Sequence, residues 1–301
     1  MRRAAFLLFC LLLAAVPAQA LAKKKHKKQT LQGPVVTVSA VGSTASGFDE
    51  DSTAVATCPT GTVALGGGFS APSDSVNALA VFDSYRSGID SWTVVGVRFR
   101  GNAAATAFVY CRKATRSIDD VTGTGTIPSG GQSGGASATC PPGSHLIGGG
   151  FQSSREPGDT VAYALTNMSS APETWSLVDV NGSGASGNRT ITAHAYCLTG
   201  IRPPTFLSAT TSPLLAVNAA GSITSPACPV PKKPKAKKGK KRKKKPRKLL
   251  SGGGYAGPSP TANPSGLFSA SQIAGAGWLA TLVNTTGPTG TLPITSQAIC
   301  L

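Results

Sequence analysis

The densest group of charged side chains in this 301-residue chain is a run of lysines and arginines near the C-terminus. Positions 232 to 248 hold 13 of the 29 basic residues and no acidic or aromatic residue. Cations at this density bind polyanions by releasing the counterions of the polymer, and without aromatic rings they cannot stack on bases. The run therefore predicts polyanion binding that selects for charge density alone. Its members are Lys232, Lys233, Lys235, Lys237, Lys238, Lys240, Lys241, Arg242, Lys243, Lys244, Lys245, Arg247 and Lys248.

The run is expected to be disordered, because like charges repel and it has no apolar face to bury. The partners that suit it are teichoic acid, lipopolysaccharide, an anionic membrane surface, polyphosphate or extracellular DNA. The alternative is a solvated loop that only keeps the protein soluble. A shorter basic run, Lys23 to Lys28, either adds a second contact or is simply a flexible terminus. No small-molecule substrate is evident.

Catalytic motifs are weak. The letters from Gly131 to Gly135 match a nucleophile elbow centred on Ser133. That motif needs a strand before it and a helix after it, whereas this one lies in a Gly/Ser-rich connection. His145 and His194 are single residues in strand-like segments, where packing or surface roles are expected.

The carboxylates do not form a dedicated site either. Asp49 to Asp51 and Asp119–Asp120 lack the ligand spacing of a calcium loop, so solvated turns are expected there. No Asp or Glu occurs after Asp179. The chain is therefore predicted to be non-catalytic, with no metal and no cofactor.

The rest of the chain is nearly neutral. Removing the 13 cations of the long run, the five of the short run, Arg2 and Arg3 leaves nine basic residues against 12 acidic ones. A uniformly basic nucleic-acid-binding domain is excluded by this distribution. A highly charged disordered chain is also excluded, since 14% of residues are charged and 40% are hydrophobic.

The N-terminus has the features of a secretory signal over residues 1–20. Arg2 and Arg3 precede an apolar stretch, and Ala18-Gln19-Ala20 is a small-x-small cleavage site. A membrane anchor over Met1 to Ala22 is the alternative, although that segment is barely long enough to span a bilayer. The mature protein is therefore expected to be secreted or associated with the cell envelope. Residues 21–33 are assigned to a basic linker.

Three copies of one unit follow, assigned to residues 34–114, 115–200 and 201–301. Each copy has a cysteine and proline, then three glycines and an aromatic residue, one tryptophan and a second cysteine. The glycine triplets begin at Gly66, Gly148 and Gly252, which lie 8, 8 and 24 residues after the first cysteine of their copies. The third copy is thus predicted to contain an insertion of about 16 residues, assigned to 229–249, that includes the lysine run.

One cysteine pair per copy predicts three disulfides. The repeat selects Cys58–Cys111, Cys140–Cys197 and Cys228–Cys300 from fifteen possible connectivities. Free thiols or a metal site are the alternatives, and the absence of a Cys-x-x-Cys motif argues against a metal. The tryptophans, one per copy, are expected in the core, with a carbohydrate-binding platform as the alternative. They are Trp92, Trp175 and Trp278.

The local pattern is β. Short apolar or alternating segments are broken by Gly, Ser, Asp and Asn, and no long helical period follows the signal segment. The Cys-Pro-x-Gly element is typical of a turn. The fold class is therefore all-β, with three tandem disulfide-stapled repeats of five or six strands each. The repeats either form separate small sandwiches or share one pseudo-threefold β-prism.

This arrangement of Cys-Pro-x-Gly, Gly-Gly-Gly-aromatic, Trp and Cys resembles secreted bacterial repeat proteins of uncharacterised function, over roughly Val35 to Leu301. A weaker resemblance, to vitelline membrane outer layer proteins, implies a β-prism. The leading hypothesis is a secreted, non-catalytic protein that adheres to anionic polymers through the lysine run. A lectin-like module with sugar sites near the glycine strands is the alternative, and a structural protein with a solubilising loop is another.

Overall fold

A computed structural model describes residues 31–47, 50–74, 76–115, 117–131, 133–155, 162–181, 187–229, 249–256, 266–284 and 289–301. The described residues form strands and turns, which confirms the all-β prediction. Within these ranges there is no helix with the length and apolar character needed for a membrane span. The signal segment, the short basic run and the lysine run all lie outside the described residues.

Twenty strands make up the described chain, six in each of the first two repeats and eight in the third. The first repeat contains β1 Gln32–Val41, β2 Asp51–Thr57, β3 Val63–Ser70, β4 Ala78–Tyr85, β5 Ser91–Arg100 and β6 Thr106–Lys113. The second contains β7 Asp119–Ile127, β8 Ser133–Thr139, β9 Ser144–Ser153, β10 Ala162–Ala171, β11 Thr174–Asn181 and β12 Arg189–Thr199. The third contains β13 Thr205–Thr211, β14 Leu214–Leu215, β15 Ala220–Thr224, β16 Leu249–Ala256, β17 Gly266–Ala274, β18 Gly277–Asn284, β19 Gly290–Thr291 and β20 Ile294–Cys300.

Eighteen of these strands form three antiparallel six-stranded sheets, and each sheet is shared by two repeats. The strand orders are β1-β6-β3-β17-β18-β15, β2-β5-β4-β9-β12-β7 and β13-β20-β16-β10-β11-β8. Every repeat gives three strands to one sheet and three to the next, so the three repeats close a ring with pseudo-threefold symmetry. The strands β14 and β19 pair separately.

This topology combines the two architectures that the sequence left open. Each repeat is a small sandwich of two three-stranded layers. Each of these layers continues into a layer of a neighbouring repeat, so the sandwiches are not separate domains. We call the three junctions seams: β3 with β17, β4 with β9, and β10 with β16. The first strand begins at Gln32, so β1 starts inside the segment that the sequence assigned to the linker.

Each sandwich is filled by its tryptophan, which confirms the core role predicted for these residues. The three side chains are at most 1% exposed. Each indole N–H donates a hydrogen bond to a residue near the seam. The acceptors of Trp92, Trp175 and Trp278 are Ser84 Oγ, Asn167 Oδ1 and Ser271 Oγ, at 3.0, 2.6 and 3.0 Å.

Two close approaches explain why the glycine strands lack side chains at two successive positions. A methyl group on Gly252 would lie 2.5 Å from the Trp278 ring, so this glycine lets the indole lie on the strand of its own repeat. A methyl group on the next glycine position would meet the neighbouring repeat instead, since one on Gly150 would lie 2.6 Å from the Ser84 carbonyl oxygen. Gly68 and Gly253 face the carbonyls of Ser271 and Asn167 in the same way.

The alignment of the third glycine triplet predicted from sequence is wrong by one residue. Strand pairing places Gly66 opposite Tyr110, Gly148 opposite Tyr196 and Ser251 opposite Ile299, one residue before the second cysteine of each repeat. Ser251, not Gly252, is therefore the third copy of the first position. A side chain is accommodated there because Ser251 Oγ donates a 2.6 Å hydrogen bond to the carbonyl of Ile147.

The shift moves an aromatic residue from one strand to another. Gly254 occupies the position of Phe69 and Phe151, whose rings meet edge to face at 6.3 Å. In the third repeat the ring comes from Phe268 on β17, beside Gly254, where the second repeat has Ala164. These residues line a small cavity where the seams meet.

Replacing Gly150 by Ala is expected to destabilise the protein by about 1 to 3 kcal/mol, because the methyl group overlaps the Ser84 carbonyl across a seam. Gly135→Ala is the matched control, since a methyl group there meets nothing closer than 3.5 Å. Urea unfolding of both variants measures the difference. Equal stability of the two variants would show that the seam tolerates a side chain.

Phe268→Ala is expected to lower the free energy of unfolding by about 3 to 5 kcal/mol, since it removes a buried ring. The double variant Phe268→Ala/Gly254→Phe restores the arrangement of the second repeat and should recover part of this loss. Thermal unfolding of the single and double variants tests whether a ring from either strand can fill the same space. A double variant less stable than Phe268→Ala would contradict it.

Candidate functional site

The predicted polyanion-binding residues lie outside the described part of the chain, but the structure describes both points where the lysine run is attached. Cys228 precedes it and forms a disulfide with Cys300, with the two Cα atoms 5.6 Å apart. Leu249 follows it as the first residue of β16 and pairs with the same Cys300 on β20. The chain therefore leaves and re-enters the scaffold at one point.

The same point in the first repeat is closed by a short turn. Ala64 pairs with Cys111 and follows Cys58 by six residues, whereas Leu249 follows Cys228 by 21. The insertion is therefore 15 residues long, one fewer than the triplet alignment predicted. The lysine run is additional to what the strand connection requires.

The short turn confirms the turn predicted for the Cys-Pro-x-Gly element. Gly61 and Gly143 have φ angles of 79° and 85°, in the left-handed region that favours glycine. The Pro59 carbonyl accepts hydrogen bonds from the backbone N–H and the side-chain hydroxyl of Thr62, at 3.1 and 2.6 Å. Ser144 makes both of these bonds to the Pro141 carbonyl in the second repeat.

Charge elsewhere in the third repeat is sparse. Outside the lysine run, Arg202 is its one charged side chain, and no Asp or Glu follows Asp179 in the sequence. The described residues of the whole chain contain nine carboxylates and eight Lys or Arg side chains. Because its own repeat contains no Asp or Glu, any side-chain carboxylate that neutralises the run must come from the other repeats, and salt or a ligand can supply further negative charge.

The three disulfides pair as the repeat predicts. Cys58–Cys111, Cys140–Cys197 and Cys228–Cys300 each join the two layers of one repeat, and their Cα–Cα distances are all 5.6 Å. Cys111, Cys197 and Cys300 are fully buried. Three such bonds are typical of proteins from an oxidising, extracellular-type compartment.

The residues considered for the lectin alternative, the tryptophans and the glycine strands, are buried. The tryptophans are buried between layers, so they cannot serve as platforms for a carbohydrate ring. The glycine strands are buried as well, from Ala64 to Phe69 in β3 and from Leu146 to Phe151 in β9. These residues are occupied in holding the repeats together.

The residues considered for catalysis are held in separate places. Ser133 is the first residue of β8 and pairs with Val180, so a strand follows it where a nucleophile elbow requires a helix. His145 Nδ1 lies 2.7 Å from Glu173 Oε1, beside the turn of the second repeat. His194 is on β12, and its ring nitrogens contact Asp120 and Gln152.

His194 belongs to a packed polar group on the second sheet. Its Nδ1 lies 3.1 Å from Asp120 Oδ1 and its Nε2 lies 2.9 Å from Gln152 Oε1. The ring also stacks on Tyr85, with the two centroids 5.6 Å apart. Both nitrogens are therefore committed to neighbours, which agrees with the packing role expected for this residue.

The two acidic groups noted in the sequence are parts of turns and strand ends. Glu50 accepts hydrogen bonds from the backbone N–H groups of Gly47 and Ser46, both at 2.7 Å, and these bonds lower its pKa. Asp119 and Asp120 begin β7. Asp49 lies outside the described residues, and the described residues contain no cluster of three metal-ligating side chains.

The sequence reasoning missed a carboxyl pair at the seam between β4 and β9, formed by the partly buried Asp83 and the buried Asp179. Asp83 on β4 accepts a 2.9 Å hydrogen bond from the Ser153 N–H, and Ser153 Oγ donates to Asp179, which is fully buried. The available signal was a carboxylate beside large apolar residues in each of two strands, Phe82-Asp83 in β4 and Val178-Asp179-Val180 in β11. Such positions are costly for a charge unless the group is bonded or protonated.

Comparison with known proteins provides no assignment. No protein-family model matches this chain, and no curated protein matches it.

Removing one disulfide is expected to destabilise the protein without affecting the lysine run. Cys58→Ser/Cys111→Ser opens a loop of 53 residues, which should cost about 4 kcal/mol by loss of the chain constraint. Urea unfolding measures the loss, and Cys140→Ser/Cys197→Ser, which opens a loop of 57 residues, should lose a similar amount. A loss well under 1 kcal/mol in both variants would contradict a stapling role.

Proposed function

We propose that this protein is exported and adheres to anionic cell-envelope or extracellular polymers through Lys232 to Lys248, held as a loop on a non-catalytic β scaffold. The observation that carries the proposal is the attachment of both ends of the run to one disulfide-bonded position. Cys228 and Leu249 each contact Cys300 through a covalent or a strand-pairing bond. A segment tied in this way is available to a ligand while the sheets remain closed.

The short connections in the other two repeats support the proposal. In them the same connection is a tight turn, so the strands need no insertion to pair. The insertion therefore has no evident folding role, and it is also where the excess charge of the chain is concentrated. A loop that served solubility alone would not need 13 cations in 17 residues.

The expected chemistry is that of counterion release. A polymer such as teichoic acid, lipopolysaccharide or DNA carries closely spaced phosphates, and each cation that replaces a condensed counterion gains free energy that falls with salt. The run has no aromatic residue for base stacking and no fixed geometry for reading a sequence. Affinity should therefore follow the charge density of the polymer and not its chemical identity.

Export is the part of the proposal supported by the N-terminus and the disulfides. The signal-like segment of residues 1–20 would direct secretion, and three disulfides persist in the compartment it leads to. Teichoic acid, lipopolysaccharide, anionic membrane surfaces and extracellular DNA are all found in that compartment, so the proposed partners and the proposed location agree.

A turn graft is the sharpest test. Residues 229–248 are replaced by the five residues Pro59 to Val63, which make the same connection in the first repeat. We expect the graft to fold with unchanged thermal stability and to lose retention on immobilised teichoic acid and on duplex DNA. Wild type should bind both, with a log–log salt slope near −7 if about eight cations contact duplex DNA.

A loop of equal length with all 13 basic residues replaced by Gln is the matched control for length. It should lose binding as completely as the graft does, because charge and not chain length is the binding element. Retention of both variants at the wild-type level would remove the run from the mechanism. Absence of binding by wild type, at about 50 mM salt, would leave a solubilising loop as its role.

A further inference from the structure

We propose that the seam between the first and second repeats is a pH-sensitive latch, which is held closed when the Asp83 carboxyl carries a proton and is loosened when it ionises. This inference is independent of the lysine run. It rests on one difference between this seam and the seam of the first and third repeats, and on the charges that surround it.

The difference is in the atom that accepts a backbone hydrogen bond across the seam. Between β3 and β17 the N–H of Ala71 donates to the backbone carbonyl of Ser269 at 2.7 Å. The equivalent N–H between β9 and β4 belongs to Ser153, and it donates to the side-chain oxygen Asp83 Oδ1 at 2.9 Å. A titratable group has thus replaced a backbone group in the ladder.

This seam is also short. The ladder between β4 and β9 has a single residue pair, Ser84 with Phe151, whereas the ladders between β3 and β17 and between β10 and β16 have two each. The hydrogen bond from Ser153 to Asp83 therefore adds to a short ladder, alongside the bond from the Arg86 N–H to the Tyr196 hydroxyl. A change at Asp83 should act on the seam directly.

The same serine connects Asp83 to a second carboxylate. Ser153 Oγ donates a hydrogen bond to Asp179 Oδ2 on β11, in the third sheet, and Asp179 Oδ1 accepts one from the Val180 N–H at 2.7 Å. One residue therefore links two carboxyl groups that come from different sheets. Ionisation of Asp83 therefore places a negative charge beside a second carboxyl group, that of the buried Asp179.

The charged groups that influence Asp83 come from three other strands. Asp179 lies on β11, Asp51 begins β2 and is ion-paired with Arg155, which follows β9, and His194 is on β12. Burial is the largest cause that raises the pKa of Asp83, to about 7, and the charges of Asp179 and Asp51 raise it further. The hydrogen bond from Ser153 and the influence of His194 act in the opposite direction.

The sign of the pH dependence follows from the raised pKa. Between about pH 4 and pH 7 the closed seam binds a proton that an opened, solvated Asp83 would release, so closure becomes less favourable as the pH rises. Above about pH 7 both forms are ionised and the effect levels off. The seam is thus tightest in acid and loosest at neutral to alkaline pH.

The effect should be confined to one seam. The positions equivalent to Asp83, each immediately before the acceptor of the tryptophan N–H, are Thr166 and Ala270. Neither side chain titrates. The other two seams therefore provide internal controls in the same molecule.

Amide hydrogen exchange followed by NMR tests the latch in the intact protein. The protection factor of the Ser153 amide, corrected for the intrinsic exchange rate, should fall about 10- to 100-fold between pH 5 and pH 8. The Ala71 amide, which is bonded to a backbone carbonyl, should keep its protection over the same range. Parallel changes at Ser153 and Ala71 would overturn the proposal without any mutation.

Asp83→Asn keeps an oxygen for the Ser153 N–H and removes the titration. It should abolish the pH dependence at Ser153 and raise the thermal stability at pH 8 while changing it little at pH 5. Asp90→Asn is the matched control for loss of one negative charge elsewhere, and it should leave the pH dependence of Ser153 intact. Persistence of that pH dependence in Asp83→Asn would show that another group is responsible.

Discussion

Backbone contact between repeats, with no side chain in between, is the constraint on which the rest of this structure depends. At each seam a glycine faces a carbonyl of the neighbouring repeat, and the preceding glycine lies under the indole of its own repeat. Because both spaces are filled by backbone or by a ring, one strand must have two successive residues without side chains. That requirement couples the core of each sandwich to the closure of the ring, so the tryptophan and the seam cannot be changed independently.

Each seam is also fastened by a side chain that reaches across it to a backbone N–H. Tyr110 and Tyr196 accept such a bond through their hydroxyls, from Ile273 and Arg86, both at 2.7 Å. Burial raises the pKa of both tyrosines, so the hydroxyls remain protonated. The third repeat has Ile299 at the tyrosine position, and Gln297 performs the task from two residues away, with Oε1 accepting from the Ser169 N–H at 2.9 Å. The three repeats therefore share this hydrogen bond and similar packing across their seams, even where the residue types differ.

The two features proposed to be functional lie where this symmetry is broken. The lysine run replaces a turn whose only structural requirement is to connect Cys228 with β16, so a large change there has little effect on the sheets. The carboxyl group of Asp83 replaces a backbone acceptor at one seam of three. The first break adds charge to a connection between two strands, whereas the second places a titratable group at the junction of two repeats. Because they lie in different repeats, each can be altered without the other.

The sequence alone determined the all-β class, the threefold repeat, the disulfide pairs and the buried tryptophans, because each depends on residue spacing that recurs in every copy. It also located the lysine run, since charge density is a property of composition. Only the tertiary structure decided that the repeats share sheets, that the third glycine triplet is displaced by one residue, and that Phe268 supplies the ring missing at Gly254. Strand partners from different repeats carry no local signal, and a ring can reach the same space from either of two strands. The pairing of Asp83 with Asp179 was hidden for the same reason, because the two strands meet only when the ring of repeats closes.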